Sequence, residues 1–190
     1  MNPETRLFIN GELCEAENAA QYDNISPVTE QVIGQAADAS PADMERAISA
    51  ARQAFDHTDW SINHGFRHQC LRQLYDGLLK VKDDLKAQIS AETGAPLGIC
   101  GDSGPQCDIP IGFIEQTLKT LPDFEWSRDE GYAEPLGQPT RRVVEKEAIG
   151  VVACITPWNV PLQINLAKCI PALAASLTFA IICLASFGFS

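Results

Sequence analysis

"AIGVVACITPWNVPLQINLAKCIPALAAS", residues 148–176, decides how the chain is read. Its opening "GVVACI" is a continuous apolar, β-rich run, the pattern of a strand covered on both faces. "PLQINLAKCIPALAA" returns to helical spacing through Ile164, Ala167, Ile170 and Ala174. Between them lies Thr156-Pro157-Trp158-Asn159-Val160-Pro161. Strand, loop and helix over 148–175, behind two long upstream helices, predict an α/β fold with a parallel sheet just beginning. In open sheets of that kind ligands bind beyond the carboxyl ends of the strands, where this loop falls.

Two prolines stiffen the loop around Asn159. A preorganised side-chain amide is a neutral donor that stabilises an oxygen becoming negative in a transition state. The plainer reading is that Asn159 caps the following helix, a common use of Asn. Spacing alone leaves both open.

Upstream, "RLFINGELCEA" reads as two short strands around Asn10-Gly11, a strong signal for a tight hairpin. A turn near Pro27 and a strand through Val32-Ile33 follow. Ser40-Pro41-Ala42-Asp43 starts a helix: Ser40 caps, Pro41 suits the first helical position and Asp43 favours the positive end. Met44, Ala47, Ile48, Ala51 and Phe55 form its apolar face. A second, longer helix is expected from about 65 to 92, with a stripe of Leu71, Leu74, Leu78, Val81, Leu85 and Ile89, ended by Gly94 and Pro96. Residues 94–110 read as loop, "IGFIEQTLKTLPDF" as a weaker helix, and "PTRRVVEKEAIG" as an extended hairpin arm.

The net charge of −11 opposes approach to nucleic acid and to anionic membranes. The start, "MNPETRLFIN", shows no secretion signal, so the expected compartment is the cytoplasm. Seven cysteines are irregularly spaced with no C-x-x-C, as reduced thiols rather than a zinc site. His64 and His68, four apart, read as solvated surface, and no metal site is expected.

The stretch 148–176 resembles the aldehyde dehydrogenase superfamily. That family's pattern is roughly P-x-G-V-V-x-x-I-x-P-W-N-x-P-L, then K-x-x-P-A-L-A-A; here it is "EAIGVVACITPWNVPL", then "KCIPALAAS", with Ala148 in the usual proline's place. "LFINGE", "ISPVTEQVIG", "ADMERAISAARQAF" and "RHQCLRQLYDGLLKVKDDLKAQISAETGAPLG" fall in the family's order, so the likeness runs from residue 5 to about 175. It implies the N-terminal portion of a Rossmann-like cofactor domain with a β bridging arm, incomplete. The parts are 1–136 (start of the cofactor-binding domain), 137–147 (oligomerisation-type arm), 148–175 (first strand-loop-helix of the dinucleotide fold) and 176–190 (a divergent apolar tail).

The chemistry it implies is oxidation of a small aldehyde to a carboxylic acid with NAD or NADP, through a Cys nucleophile and a Glu that activates water. The family's oxyanion-stabilising Asn is matched by Asn159. Ile155, Thr156, Pro157, Trp158 and Asn159 match the segment lining the dinucleotide site, and Lys168 matches a supporting lysine. The nucleophilic Cys, the Glu and the later glycine-rich loop have no counterpart in the 190 residues, and none of the seven cysteines has the nucleophile's context. The expectation is a truncated fragment, incompetent alone.

The alternatives are a non-catalytic module that pairs as a homo-oligomer or with a full-length relative, and a tail-anchored membrane protein. Residues 169–190 carry no charge, but Pro171 falls inside them and no basic flank follows.

Overall fold

The computed structural model describes residues 4–183 except 102 and 177, with side chains described as far as residue 176. The chain begins with a hairpin of β1 (Leu7–Ile9) and β2 (Glu12–Cys14). Asn10 and Gly11 at its tip both take positive φ, 55° and 81°, as a two-residue hairpin turn requires. A second antiparallel pair follows, β3 (Gln21–Ile25) and β4 (Val32–Ala37).

Helix α1 (Pro41–His57) starts in the way its sequence indicates. The Asp43 N–H donates to Ser40 Oγ at 3.2 Å, and Asp43 Oδ2 accepts from the Ser40 N–H at 2.9 Å, a reciprocal capping box. Asp43 also accepts from the Glu17 N–H at 3.0 Å, tying the helix start to the N-terminal strands.

The single helix expected over 65–92 is two: α2 (His64–Lys80) and α3 (Lys82–Thr93), parted at Val81 with φ −108° and ψ 9°. Lys80 lies in the last turn of α2, and Asp83 and Asp84 in the first turn of α3, each at the helix end that favours its charge. A β-branched residue between them gives up little by leaving the helix. Gly94, with φ 71°, caps α3. A short turn α4 (Leu97–Cys100) and helix α5 (Asp108–Thr120) follow.

The arm set at 137–147 is the second half of a longer antiparallel hairpin, β5 (Ser127–Ala133) and β6 (Thr140–Glu145). Beyond it, β7 (Val151–Thr156), α6 (Pro161–Ala174) and β8 (Thr178–Cys183) form a strand-helix-strand unit in which β7 and β8 pair in parallel, Val151 beside Thr178 through Thr156 beside Cys183. The sequence reading set 176–190 apart as divergent tail; residues 178–183 are the return strand of this unit, and 184–190 lie outside the described residues. Among the described residues no helix is long and apolar enough to cross a membrane.

The core gathers α2, α5 and α6 around Leu71, Ile111, Ile114, Leu118, Leu166 and Ile170. In α6 the buried face includes Leu166, Cys169, Ile170 and Ala174, whereas Ala167 is exposed. The helix is apolar nearly all round, so its periodicity does not select a face. The α1 stripe is only half-buried, with Ile48 exposed, and Leu74 of α2 is exposed too. Nor is β7 covered on both faces: Cys154 and Thr156 are buried, but Ala153 and Ile155 are exposed.

The two histidines are not solvated surface. His64 meets the Trp126 ring edge-on at 4.3 Å, and His68 Nε2 lies 3.2 Å from the Leu118 carbonyl.

Candidate active-site loop

The loop after β7 is positioned from both ends. Parallel pairing with β8 holds the strand up to Thr156, and Pro161 begins α6 five residues later. Alternation along the strand then separates the candidate residues. Ile155 is 58% exposed and points outward, whereas Thr156 is fully buried and its hydroxyl has no partner among the described residues. Pro157, Trp158 and Asn159 are exposed, Trp158 at 47%. The structure therefore presents Ile155, Trp158 and Asn159 to solvent and turns the Thr156 side chain inward. Lys168 is exposed on α6, seven residues beyond the helix start and roughly 10 Å along its axis.

Asn159 does not cap α6. The N-cap is Val160, and no side chain caps the helix. The Asn159 side-chain amide makes no hydrogen bond among the described residues, so it is free to meet a ligand. The uncapped start of α6 places partial positive charge beside it. The Asn159 main-chain carbonyl, in contrast, is held: Gln106 Nε2 donates to it at 3.2 Å.

The two cysteines nearest the loop in sequence are both buried. Cys154 and Cys169 are buried against each other, and burial first, then the neighbouring thiol, pushes the Cys169 thiol up to about 12. Among the described residues no group of three or more His, Cys, Asp or Glu side chains converges as a metal site would require. A cavity of about 770 Å³ lies elsewhere, between the β1–β2 hairpin and α1 with Trp60, Phe66 and Leu173, and none of the loop residues lines it.

The aldehyde dehydrogenase family model matches residues 14–181, most of the chain and through much of β8. The chain belongs to the aldehyde dehydrogenase family. Among its relatives are the NADP/NAD-dependent aldehyde dehydrogenase PuuC of Escherichia coli K12, 30% identical over 175 residues, and the glutarate-semialdehyde dehydrogenase of Pseudomonas putida, 33% identical over 175 residues. The matches take in 90% and 91% of this chain but 34% of each relative, so the chain spans about a third of their length. The crystal structure of betaine aldehyde dehydrogenase from Staphylococcus aureus in complex with NAD+ superposes with a TM-score of 0.84 at 27% identity, over 95% of this chain and 34% of that one. The α/β arrangement is thus that of a partial N-terminal region of an aldehyde dehydrogenase.

Sequence reasoning found the loop through its prolines and its family pattern. It missed Gln106 and the buried Arg67. Gln106 sits in a Gly- and Pro-rich stretch with no periodicity to mark it, and its partner is 53 residues away.

Proposed function

We propose that this chain supplies the dinucleotide floor and the oxyanion-stabilising amide for oxidation of a small aldehyde to a carboxylic acid with NAD or NADP. The observation that carries the reading is the Asn159 side-chain amide, exposed and without a hydrogen bond among the described residues, beside the uncapped start of α6 at the carboxyl end of a parallel strand pair. A donor held there stabilises the negative oxygen that forms when a nucleophile adds to an aldehyde carbon, typically by about 10²–10³ in rate. The residues present fit the cofactor: Ile155 and Trp158 offer exposed apolar surface to a flat ring. The dinucleotide, when bound, accepts a hydride from the substrate carbon. Lys168 is assigned a supporting role from the exposed surface of α6.

The attacking thiolate and the water-activating carboxylate are not assigned to residues described here. Cys100, Cys107, Cys154 and Cys169 are buried and Cys14 and Cys70 half-buried, none of them lies in the Asn159 loop, and burial raises the Cys70, Cys100, Cys107 and Cys169 thiols above their ordinary value. The 190-residue polypeptide alone is therefore expected to give no reduced dinucleotide from simple aldehydes. Turnover above background by purified 1–190 would overturn that expectation.

A second reading, pairing with another copy or a full-length relative, is favoured by the β5–β6 hairpin, whose second strand is exposed at every residue. Co-purification with such a relative supports it; a monodisperse monomer at every concentration argues against it. Net charge and unpaired thiols suit the cytoplasm.

A further inference from the structure

We propose that Gln106 is a positioning residue for the Asn159 loop, held in place by a chain of contacts that begins on α3. This rests on the reading of Asn159 given above, but it is tested separately from it.

The segment between α4 and α5 is pinned at several points. The Gly104 N–H donates to the Gly101 carbonyl at 2.8 Å, and the Ile109 N–H to the Gly104 carbonyl at 3.2 Å. The Ser103 N–H donates to Asp108 Oδ2 at 2.8 Å. Asp108 Oδ1 in turn faces Lys82 Nζ at 3.2 Å and Lys86 Nζ at 3.6 Å, both on α3. Burial raises the Asp108 carboxyl, but the Ser103 N–H and the lysines outweigh it and hold it below its ordinary value, so it stays charged. The turn is tight enough that a Cβ on Gly104 would run into the carbonyl oxygens of Ile99 and Gly101. Cys107, next in the chain after Gln106, is fully buried.

Gln106 is thus fixed on both sides, and it is itself buried. Its amide is used on one side only. Nε2 donates to the Asn159 carbonyl, while Oε1 has no partner among the described residues. A buried polar atom left unpaired opposes folding, so an apolar side chain of the same shape would serve packing better. What an apolar side chain cannot do is grip the carbonyl of Asn159. Holding that carbonyl orients the peptide plane that follows Asn159 and, with β7 held by its parallel pairing on the other side, restricts the turn the loop makes at Asn159. Such a device belongs around a donor that must be preorganised.

The test uses the full chain labelled with 5-fluorotryptophan. Its three tryptophans, Trp60, Trp126 and Trp158, give three fluorine lines, assigned by single Trp→Phe replacements. Gln106→Met keeps the side-chain shape and removes the donor. Gln106→Glu keeps the shape and replaces the donor by an acceptor. The expected result is a Trp158 line displaced by more than its width, or broadened, in both variants, with the other two lines unmoved; the urea midpoint does not fall for Gln106→Met, and it falls for Gln106→Glu, which buries a carboxylate. Asp108→Asn, which loosens the turn further back, is expected to give a smaller change of the same line. Two results overturn the proposal: a Trp158 line unmoved in both Gln106 variants, or all three lines moving together with the urea midpoint, which would mark a general packing role. Titrating NAD+ into the unsubstituted chain and watching the same line examines the cofactor reading independently. No response there removes that reading and leaves the Gln106 coupling standing.

Discussion

Arg67 brings a full charge into the interior with no carboxylate beside it among the described residues. Its Nη1 donates to the Trp60 carbonyl at 2.7 Å, its Nε to the Ala174 carbonyl at 3.3 Å, and its guanidinium lies 5.3 Å from the Trp126 ring centre. The Ala174 carbonyl ends α6, so the cation answers the negative end of that helix. Arg67→Met keeps the apolar stem and removes the two hydrogen bonds to the Trp60 and Ala174 carbonyls. It is expected to destabilise by about 2 kcal/mol, less than the loss of two charge-assisted bonds because the desolvation of the cation is relieved as well. Urea unfolding measures it. His64 stands in the same cluster. Burial first, and the Arg67 charge second, hold its pKa below the ordinary value. The unfolded chain therefore binds more protons than the folded one between the two values, so stability rises with pH through that window. The contribution is present above about 6.5 and is lost as pH falls from there toward the folded value. His64→Phe should flatten this part of a urea-midpoint profile taken between about pH 5 and pH 7.5. At this scale Asn159 was legible because its loop and helix are local. Arg67 was not: its bond to Ala174 spans 107 residues, and no spacing rule reaches that far.

Among the elements, those whose signals are local were readable in advance. The Asn10-Gly11 turn and the Ser40 cap are decided by residues within three positions of one another. The break at Val81 and the β5 strand were not. A helix stripe carries across a one-residue break, and β5 alternates polar residues on both of its faces, so neither leaves a mark in apolar periodicity. Two glycines separate backbone need from habit. Gly94 has φ 71°, and a Cβ there would come within 3.1 Å of Pro27 Cγ and 3.2 Å of Val28 Cγ2. Gly94→Ala is expected to cost about 1–2 kcal/mol. Gly77 lies inside α2 with nothing within 4 Å of an added Cβ. Gly77→Ala is expected to raise stability by about 0.5–1 kcal/mol. Thermal or urea unfolding of the two variants side by side tests the contrast.

For the molecule as a whole, surface area says most. The accessible surface is 11921 Å². The scaling for compact monomers gives about 8,900 Å² at this mass of 20.7 kDa. Part of the excess lies in the protruding β5–β6 hairpin and the uncovered outward face of β7, where apolar side chains meet water. Such surface favours association, and the charge of −11 opposes it. Raising ionic strength to about 0.15 M shortens the screening length to about 8 Å, so the weight-average mass in sedimentation is expected to rise with salt. A mass independent of salt and concentration would contradict this.

The parallel pairing of β7 with β8 also bears on how the chain acquires its shape over time. A hairpin closes as soon as its turn is made, but this ladder waits until all 14 residues of α6 have been synthesised and laid across the strands. On the ribosome β7 therefore emerges with one set of main-chain groups still hydrated, and the entropy of closing the crossover is spent before any strand bond returns it. Formation of this unit should be the slow phase of refolding, and the interval in which a nascent chain is most exposed to chaperone capture.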